Sequence, residues 1–258
     1  MKERIITGIV GIVFFLSLVW LGDIYFAILI LLIACVGFYE YLKINKIKLI
    51  SLEGLWGLFI ILLIFYDNNY IVGDNSISIV ILLLLIYLVL VVASKNMITF
   101  ENIGLIIVGV LYIGYGFSYM IETRNLDNGL ILTIFILFST WASDSGAYFF
   151  GKYFGKNKLW PVISPKKTIE GSVGGVVFAI IIGLIFNYFF NITSYLLIIF
   201  IAILISILGQ LGDLIESALK RSKDVKDSGS LLPGHGGILD RFDSLIFIYL
   251  VLYLIQIF

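Results

Sequence analysis

Nine apolar stretches follow one another along this chain of 258 residues, at 5–21, 24–41, 49–66, 77–93, 102–121, 129–150, 171–190, 195–211 and 238–258. A helix needs about 20 mostly apolar residues to cross the hydrocarbon core of a bilayer, with roughly 17–25 tolerated. Each stretch qualifies or nearly does, and the third is the weakest because Glu53 interrupts it. Charged residues make up 13% of the chain, against about 25% in a soluble domain. A water-soluble globule could not hide so much apolar surface, and a disordered chain needs the opposite composition. The expected fold is therefore all-α, a polytopic integral membrane protein of about nine transmembrane helices. The first stretch is not a cleavable signal, because no small-residue cleavage site follows it and a second span begins almost at once.

The basic residues orient the spans. With the N-terminus cytoplasmic, the inner loops hold every lysine and arginine but Arg124, sixteen of the seventeen. Positive charge gathers on the cytoplasmic side of membrane proteins, and an error of one span would scatter the pattern. Equal numbers of basic and acidic residues, 17 each, leave no net charge to attract nucleic acid. Cys35 is the single cysteine, so no disulfide framework and no cysteine-based metal site is expected.

Residues 1–127 read as membrane scaffold. Their glycines, among them Gly104, Gly109 and Gly114, suit close helix contacts, and Glu40 sits near the cytoplasmic boundary, where it is expected to reach water. Residues 128–258 read as the catalytic membrane domain. Two long cytoplasmic loops, 151–170 and 212–241, contain all three prolines, the only histidine and ten of the seventeen basic residues.

Three groups of residues there point to chemistry. Asp144 is a carboxylate within an otherwise uncharged helix, on one stripe with Thr140 and Tyr148. The stretch Gly146 to Tyr153 approaches a P-loop but puts Tyr153 where the magnesium-binding hydroxyl belongs, so it is rejected. In Ser164-Pro-Lys166-Lys167-Thr168-Ile-Glu170-Gly171, Thr168 is a candidate N-cap and Glu170 falls in the first turn of the seventh helix. Two lysines before a helix N-terminus make a phosphate cradle. Gly171 and Gly175 form a GxxxG contact.

If the eighth helix runs on into the cytoplasm, Asp213, Ser217, Lys220 and Arg221 share one face. A carboxylate at membrane depth with cations beyond it suits a metal–phosphate substrate. Lys226 and Asp227 follow. The Leu232-Pro-Gly-His235-Gly236-Gly237 segment must then turn, and its bare backbone can approach a ligand. Asp240 and Asp243, flanking Arg241, open the ninth helix on a common face, ready for a hard cation.

The run from Ser217 through Lys220-Arg221, Lys226-Asp227, Gly229, Pro233-Gly-His235-Gly236-Gly237 and Asp240-Arg241-Phe-Asp243 resembles the signature of the phosphatidate cytidylyltransferase (CDP-diacylglycerol synthase) family. The Asp144-to-Tyr148 and Ser164-to-Gly171 stretches are similar to the family's other cytoplasmic-side motifs. The resemblance implies transfer of a cytidylyl group from CTP to phosphatidic acid, with magnesium and room for a second metal ion. On that basis Asp213, Asp240 and Asp243 are the expected metal ligands. Lys220 and Arg221 are expected to be catalytic, and Lys166, Lys167 and Lys226 to hold phosphates. Asp144, Ser164, Thr168, Glu170, Ser217, Asp227, His235, Gly236, Gly237 and Arg241 are expected around the substrates. The partners implied are the two substrates, the lipid bilayer and, in a homodimer, a second copy of the chain. A bacterial plasma membrane is expected, with the site facing the cytoplasm. Two rival classes are a CTP-dependent lipid-alcohol kinase and an ion transporter; the transporter does not explain why the unusual residues gather on one membrane face.

Overall fold

The computed structural model describes residues 2–70, 76–93, 98–229 and 236–257. His235 and the Pro233-Gly234 turn before it lie outside these residues. Among the described residues are nine helices, one on each apolar stretch: α1 (Lys2–Leu21), α2 (Asp23–Ile44), α3 (Leu52–Tyr70), α4 (Ser76–Ala93), α5 (Phe100–Asn125), α6 (Gly129–Phe154), α7 (Ile169–Phe190), α8 (Tyr195–Ser222) and α9 (Leu239–Leu254). α5 contains a π-helical turn at Val110–Tyr115. Five of them, α2 and α5 to α8, are long and apolar enough to cross a membrane. The chain is an all-α, polytopic membrane protein, and nothing in this single chain supports the homodimer.

One small departure from the helical plan was not expected. β1 (Lys158–Trp160) and β2 (Ser164–Thr168) form an antiparallel hairpin between α6 and α7. It folds the expected phosphate-binding lysines back toward the start of α7. Thr168 ends the hairpin and caps the helix, its Oγ1 accepting from Gly171 N at 3.1 Å.

The described residues divide into two compact units, Met1–Glu122 with Val225–Arg241, and Thr123–Asp224 with Phe242–Phe258. In the first, α2 supplies the core: Phe26, Ile30, Phe38 and Leu42 are fully buried. A Cβ on Gly57 would strike Phe38, and one on Gly109 would strike Tyr41, so small residues on α3 and α5 make room for α2's rings. Gly114 likewise faces Ile61 and Ile64, whereas Gly104 has nothing within 4 Å and makes no close contact. Glu40 does not reach water; it is 2% exposed.

In the second unit, glycines set the distance between α6 and α7. A Cβ on Gly146 would come 2.7 Å from Gly174 O, and one on Gly171 would come 2.7 Å from Ala147 O. Gly175 faces Ser143 in the same way, so the expected GxxxG contact is made, and its partner is α6. The near-P-loop run is thus helix-packing surface, as its rejection required. Further along, Gly212 of α8 lies against the backbone of Asp243 and Ser244 on α9.

Candidate active site

A cavity of about 360 Å³ opens within the second unit, inside the size range of small-molecule sites, roughly 300–1,000 Å³. α6 contributes Asp144, Tyr148 and Lys152; the hairpin contributes Leu159, Lys166 and Lys167; α7 begins at its edge with Thr168 and Gly171; and α8 closes it with Gln210 and Asp213. Carboxylates from two helices therefore face lysines from one hairpin. The bare glycine surfaces that let α6 meet α7 also leave backbone open along this wall.

The charges are arranged in sequence around Asp213. Lys167 Nζ stands 2.6 Å from Asp213 Oδ2. Ser217 Oγ donates to Asp213 Oδ1 at 3.2 Å, the i, i+4 relation expected for a helix continuing past the membrane stretch. Lys220 pairs with Glu216 at 3.2 Å rather than with Asp213. Asp144 is under the electrostatic influence of Asp243, Asp213 and Lys167 together, and Asp243 under that of Asp213 and Lys220. Asp144, Asp213 and Asp243 thus lie within electrostatic reach of one another, with Lys167 and Lys220 as counter-charges. Among the described residues Asp144 accepts no hydrogen bond, while Thr140 on its stripe is buried and bonded to Ile136 O. Asp144 and Tyr148 face the cavity; Thr140 does not.

Beneath the cavity lies a polar network that sequence reasoning missed. Gln210 Nε2 donates to Ser206 Oγ at 3.1 Å and to Ser172 O at 3.3 Å, and Ser172 Oγ donates to Gln210 Oε1 at 2.5 Å. Ser206 and Ser143 share a hydrogen bond of 2.7 Å. The signal was available: a glutamine and three serines within largely apolar spans. Glu216 was also missed; it is a buried acid one turn beyond Asp213.

The remaining expected residues divide between two places. Glu170 accepts from Lys156 N and from Asn157 N and Nδ2, tying the foot of the hairpin to α7. Ser164 pairs across the hairpin with Trp160, and Arg221 is exposed near the end of α8. In the first unit, Lys226 and Asp227 are exposed, and Arg241 lies in the first turn of α9. Asp240 turns back on its own loop: its Oδ2 accepts from Ser228 N at 2.9 Å, Ser228 Oγ at 2.9 Å and Gly237 N at 2.8 Å. Gly236, at φ +83°, makes the backward turn that a side chain would strain.

Comparison with known proteins spans nearly the whole chain. The model of the cytidylyltransferase family matches residues 2–258. A phosphatidate cytidylyltransferase of Bacillus subtilis (strain 168) is 45% identical over 98% of this chain and 96% of its own length. Phosphatidate cytidylyltransferases of Staphylococcus saprophyticus and Staphylococcus haemolyticus are 42% and 40% identical, each over 96% of both chains.

Proposed function

This chain belongs to the cytidylyltransferase family, and from that premise we infer that it joins CTP to phosphatidic acid, giving CDP-diacylglycerol and pyrophosphate. The single observation that carries the reading beyond family membership is the cavity in which Asp144 and Asp213 face Lys166 and Lys167. A lipid substrate requires a membrane enzyme, and a soluble triphosphate requires a site at the membrane surface. The cytoplasmic orientation of nine spans, argued from the basic residues, puts that surface inside the cell.

In the reaction, a phosphate oxygen of the lipid bonds to the α-phosphorus of CTP, and the bond from that phosphorus to the bridging oxygen breaks. The electron pair leaves with pyrophosphate. The second pKa of a phosphomonoester is about 6, so the lipid phosphate is mostly dianionic at neutral pH and needs no strong base. His235 is thus not required to take a proton. The chain's task is to place two polyanions in line and offset their charge. Lys166 and Lys167 are suited to the triphosphate, with Lys220 and Arg221 as further phosphate contacts. Gln210, fixed by Ser172 and Ser206, holds the floor of the cavity in place.

The acidic groups suit a hard cation. Asp144, Asp213 and Asp243 act on one another electrostatically, and magnesium typically takes only one or two carboxylates together with waters and substrate oxygens. Among the described residues no group of three or more His, Cys, Asp or Glu side chains is placed to hold a metal ion. Asp213 and Asp243 would hold the ion, while Asp240, in the other unit, accepts from Ser228 and Gly237 instead. When bound, magnesium neutralises phosphate charge and orients the displaced oxygen. The catalytic residues are drawn from 128–258, with 1–127 serving as scaffold.

Product analysis with purified protein, labelled CTP and phosphatidic acid tests the reading. CDP-lipid with pyrophosphate is expected. A phosphorylated lipid with CDP would mark a kinase instead, and no turnover would remove the enzymatic reading.

A further inference from the structure

Within residues 1–127, Glu40 is bonded to residues far along the chain rather than to water or its own helix. Glu40 lies on α2, is 2% exposed, and accepts three hydrogen bonds from a segment far along the chain. Ser228 Oγ donates to its Oε2 at 3.0 Å, Leu239 N to Oε2 at 2.9 Å, and Ile238 N to Oε1 at 3.1 Å. All these residues belong to one compact unit.

The chemistry of the contact is specific. An unpaired buried carboxylate costs several kcal/mol, so its retention needs compensation. Here the compensation is two backbone N–H groups at the start of α9, where the helix dipole favours a negative charge, and one hydroxyl. Glu40 thus caps α9 from another helix. On the other side of the same hydroxyl stands Asp240, whose Oδ2 accepts from Ser228 and Gly237. One serine is held between two carboxylates, and its single proton can serve only one of them at a time. A Cβ on either Gly229 or Gly237 would collide with the Glu40 carboxyl group. The glycines are therefore there for Glu40 as well as for the turn.

We propose that Glu40 is a positioning residue for cytidylyl transfer, its carboxylate clamping Ser228 to Ile238-Leu239 and so fixing the turn that launches α9. That helix opens with Asp240 and Arg241, which lie in the same unit as the clamp, and the clamp sets where these two side chains stand without itself touching substrate. The inference rests on the cytidylyl-transfer reading.

The test compares wild type, Glu40→Gln, Ser228→Ala and the double variant in lipid–detergent micelles. Glutamine keeps the size but removes the charge and turns one acceptor into a donor facing an N–H group. Turnover per folded molecule should fall at least about tenfold, equivalent to 1.4 kcal/mol. KM for CTP should stay within about twofold, because the triphosphate-binding lysines of the hairpin are untouched. Hydrogen exchange at 238–239 should quicken while exchange across α6 to α8 does not. Ser228→Ala should act in the same direction, and the double variant should be no worse than Glu40→Gln, because both release one clamp. Wild-type turnover in folded Glu40→Gln would overturn the proposal. So would a loss that only tracks the unfolded fraction, or effects that multiply. If Glu40→Gln does not fold, Ser228→Ala decides by the same turnover criterion. If wild type itself makes no CDP-lipid, the reaction reading fails, and unchanged exchange at 238–239 in the variants would separately sink the clamp.

Discussion

Lys167 and Asp213 form an ion pair of 2.6 Å across the cavity, joining the hairpin to α8. One was expected to bind phosphate and the other a metal ion, and in the structure each is the other's counter-charge. The pair is partly exposed, so its own contribution to stability is small.

Removing the lysine tests its proposed role at the triphosphate. Lys167→Ala should lower kcat/KM for CTP by about ten- to a hundredfold, the range of one or two charge-assisted hydrogen bonds at about 1.5–3 kcal/mol each. Thermal stability should hardly change. Steady-state kinetics beside a melting curve checks both. Wild-type kinetics in this variant and in Lys220→Ala would reduce the lysines to topology anchors.

The carboxylates should separate by role. Asp213→Asn and Asp243→Asn should abolish turnover while the protein still folds, and any residual rate should need far more magnesium. Asp240→Asn should in addition lower the melting temperature, because three donors lose part of their acceptor, at about 1–3 kcal/mol for a buried group. Rate against magnesium concentration for all three variants is the measurement. An unchanged curve with substantial activity in Asp213→Asn would remove the metal assignment.

The contact between α6 and α7 should be intolerant of bulk. Gly171→Leu would press its side chain against Ala147 O and Gly151 Cα. Overpacking typically costs about 1–3 kcal/mol, and here it would also pry open the cavity wall between Lys167 and Asp144. Lower yield, a lower melting temperature and lost turnover should come together. Gly104→Ala, with open space around it, should leave all three unchanged.

Orientation can be read with a single cysteine. Ser228 is a poor place for it, being 3% exposed and bonded to Glu40. Asp227 is exposed beside it. In a Cys35→Ser background, Asp227→Cys should react with an impermeant reagent in inverted vesicles and not in intact cells. Labelling from intact cells would reverse the cytoplasmic assignment.

Features that depend on near neighbours in the chain were legible in the sequence. The apolar stretches became nine helices because backbone groups in hydrocarbon must be satisfied within their own segment. Thr168 caps α7 and Ser217 reaches Asp213 because both contacts lie within one turn of helix. Even the partnership of Gly171 and Gly175 with a neighbouring helix was legible, though not that α6 was the neighbour. The hairpin was not, since its three- and five-residue strands carry no long periodic pattern.

Tertiary structure alone decided which charges meet. Spacing grouped Lys220 with Asp213 on one face, yet Lys220 took Glu216 and Lys167 took Asp213. A one-dimensional pattern ranks residues by shared face and cannot weigh partners arriving from another element. Glu40 is the clearest case. From the sequence it is an acid near a membrane boundary, for which water is the simplest partner. Packing of α2 buried it, and a buried carboxylate must find donors within the protein. The donors it found, Ser228, Ile238 and Leu239, come from a segment separated from it by most of the chain, which no periodicity along α2 could reveal.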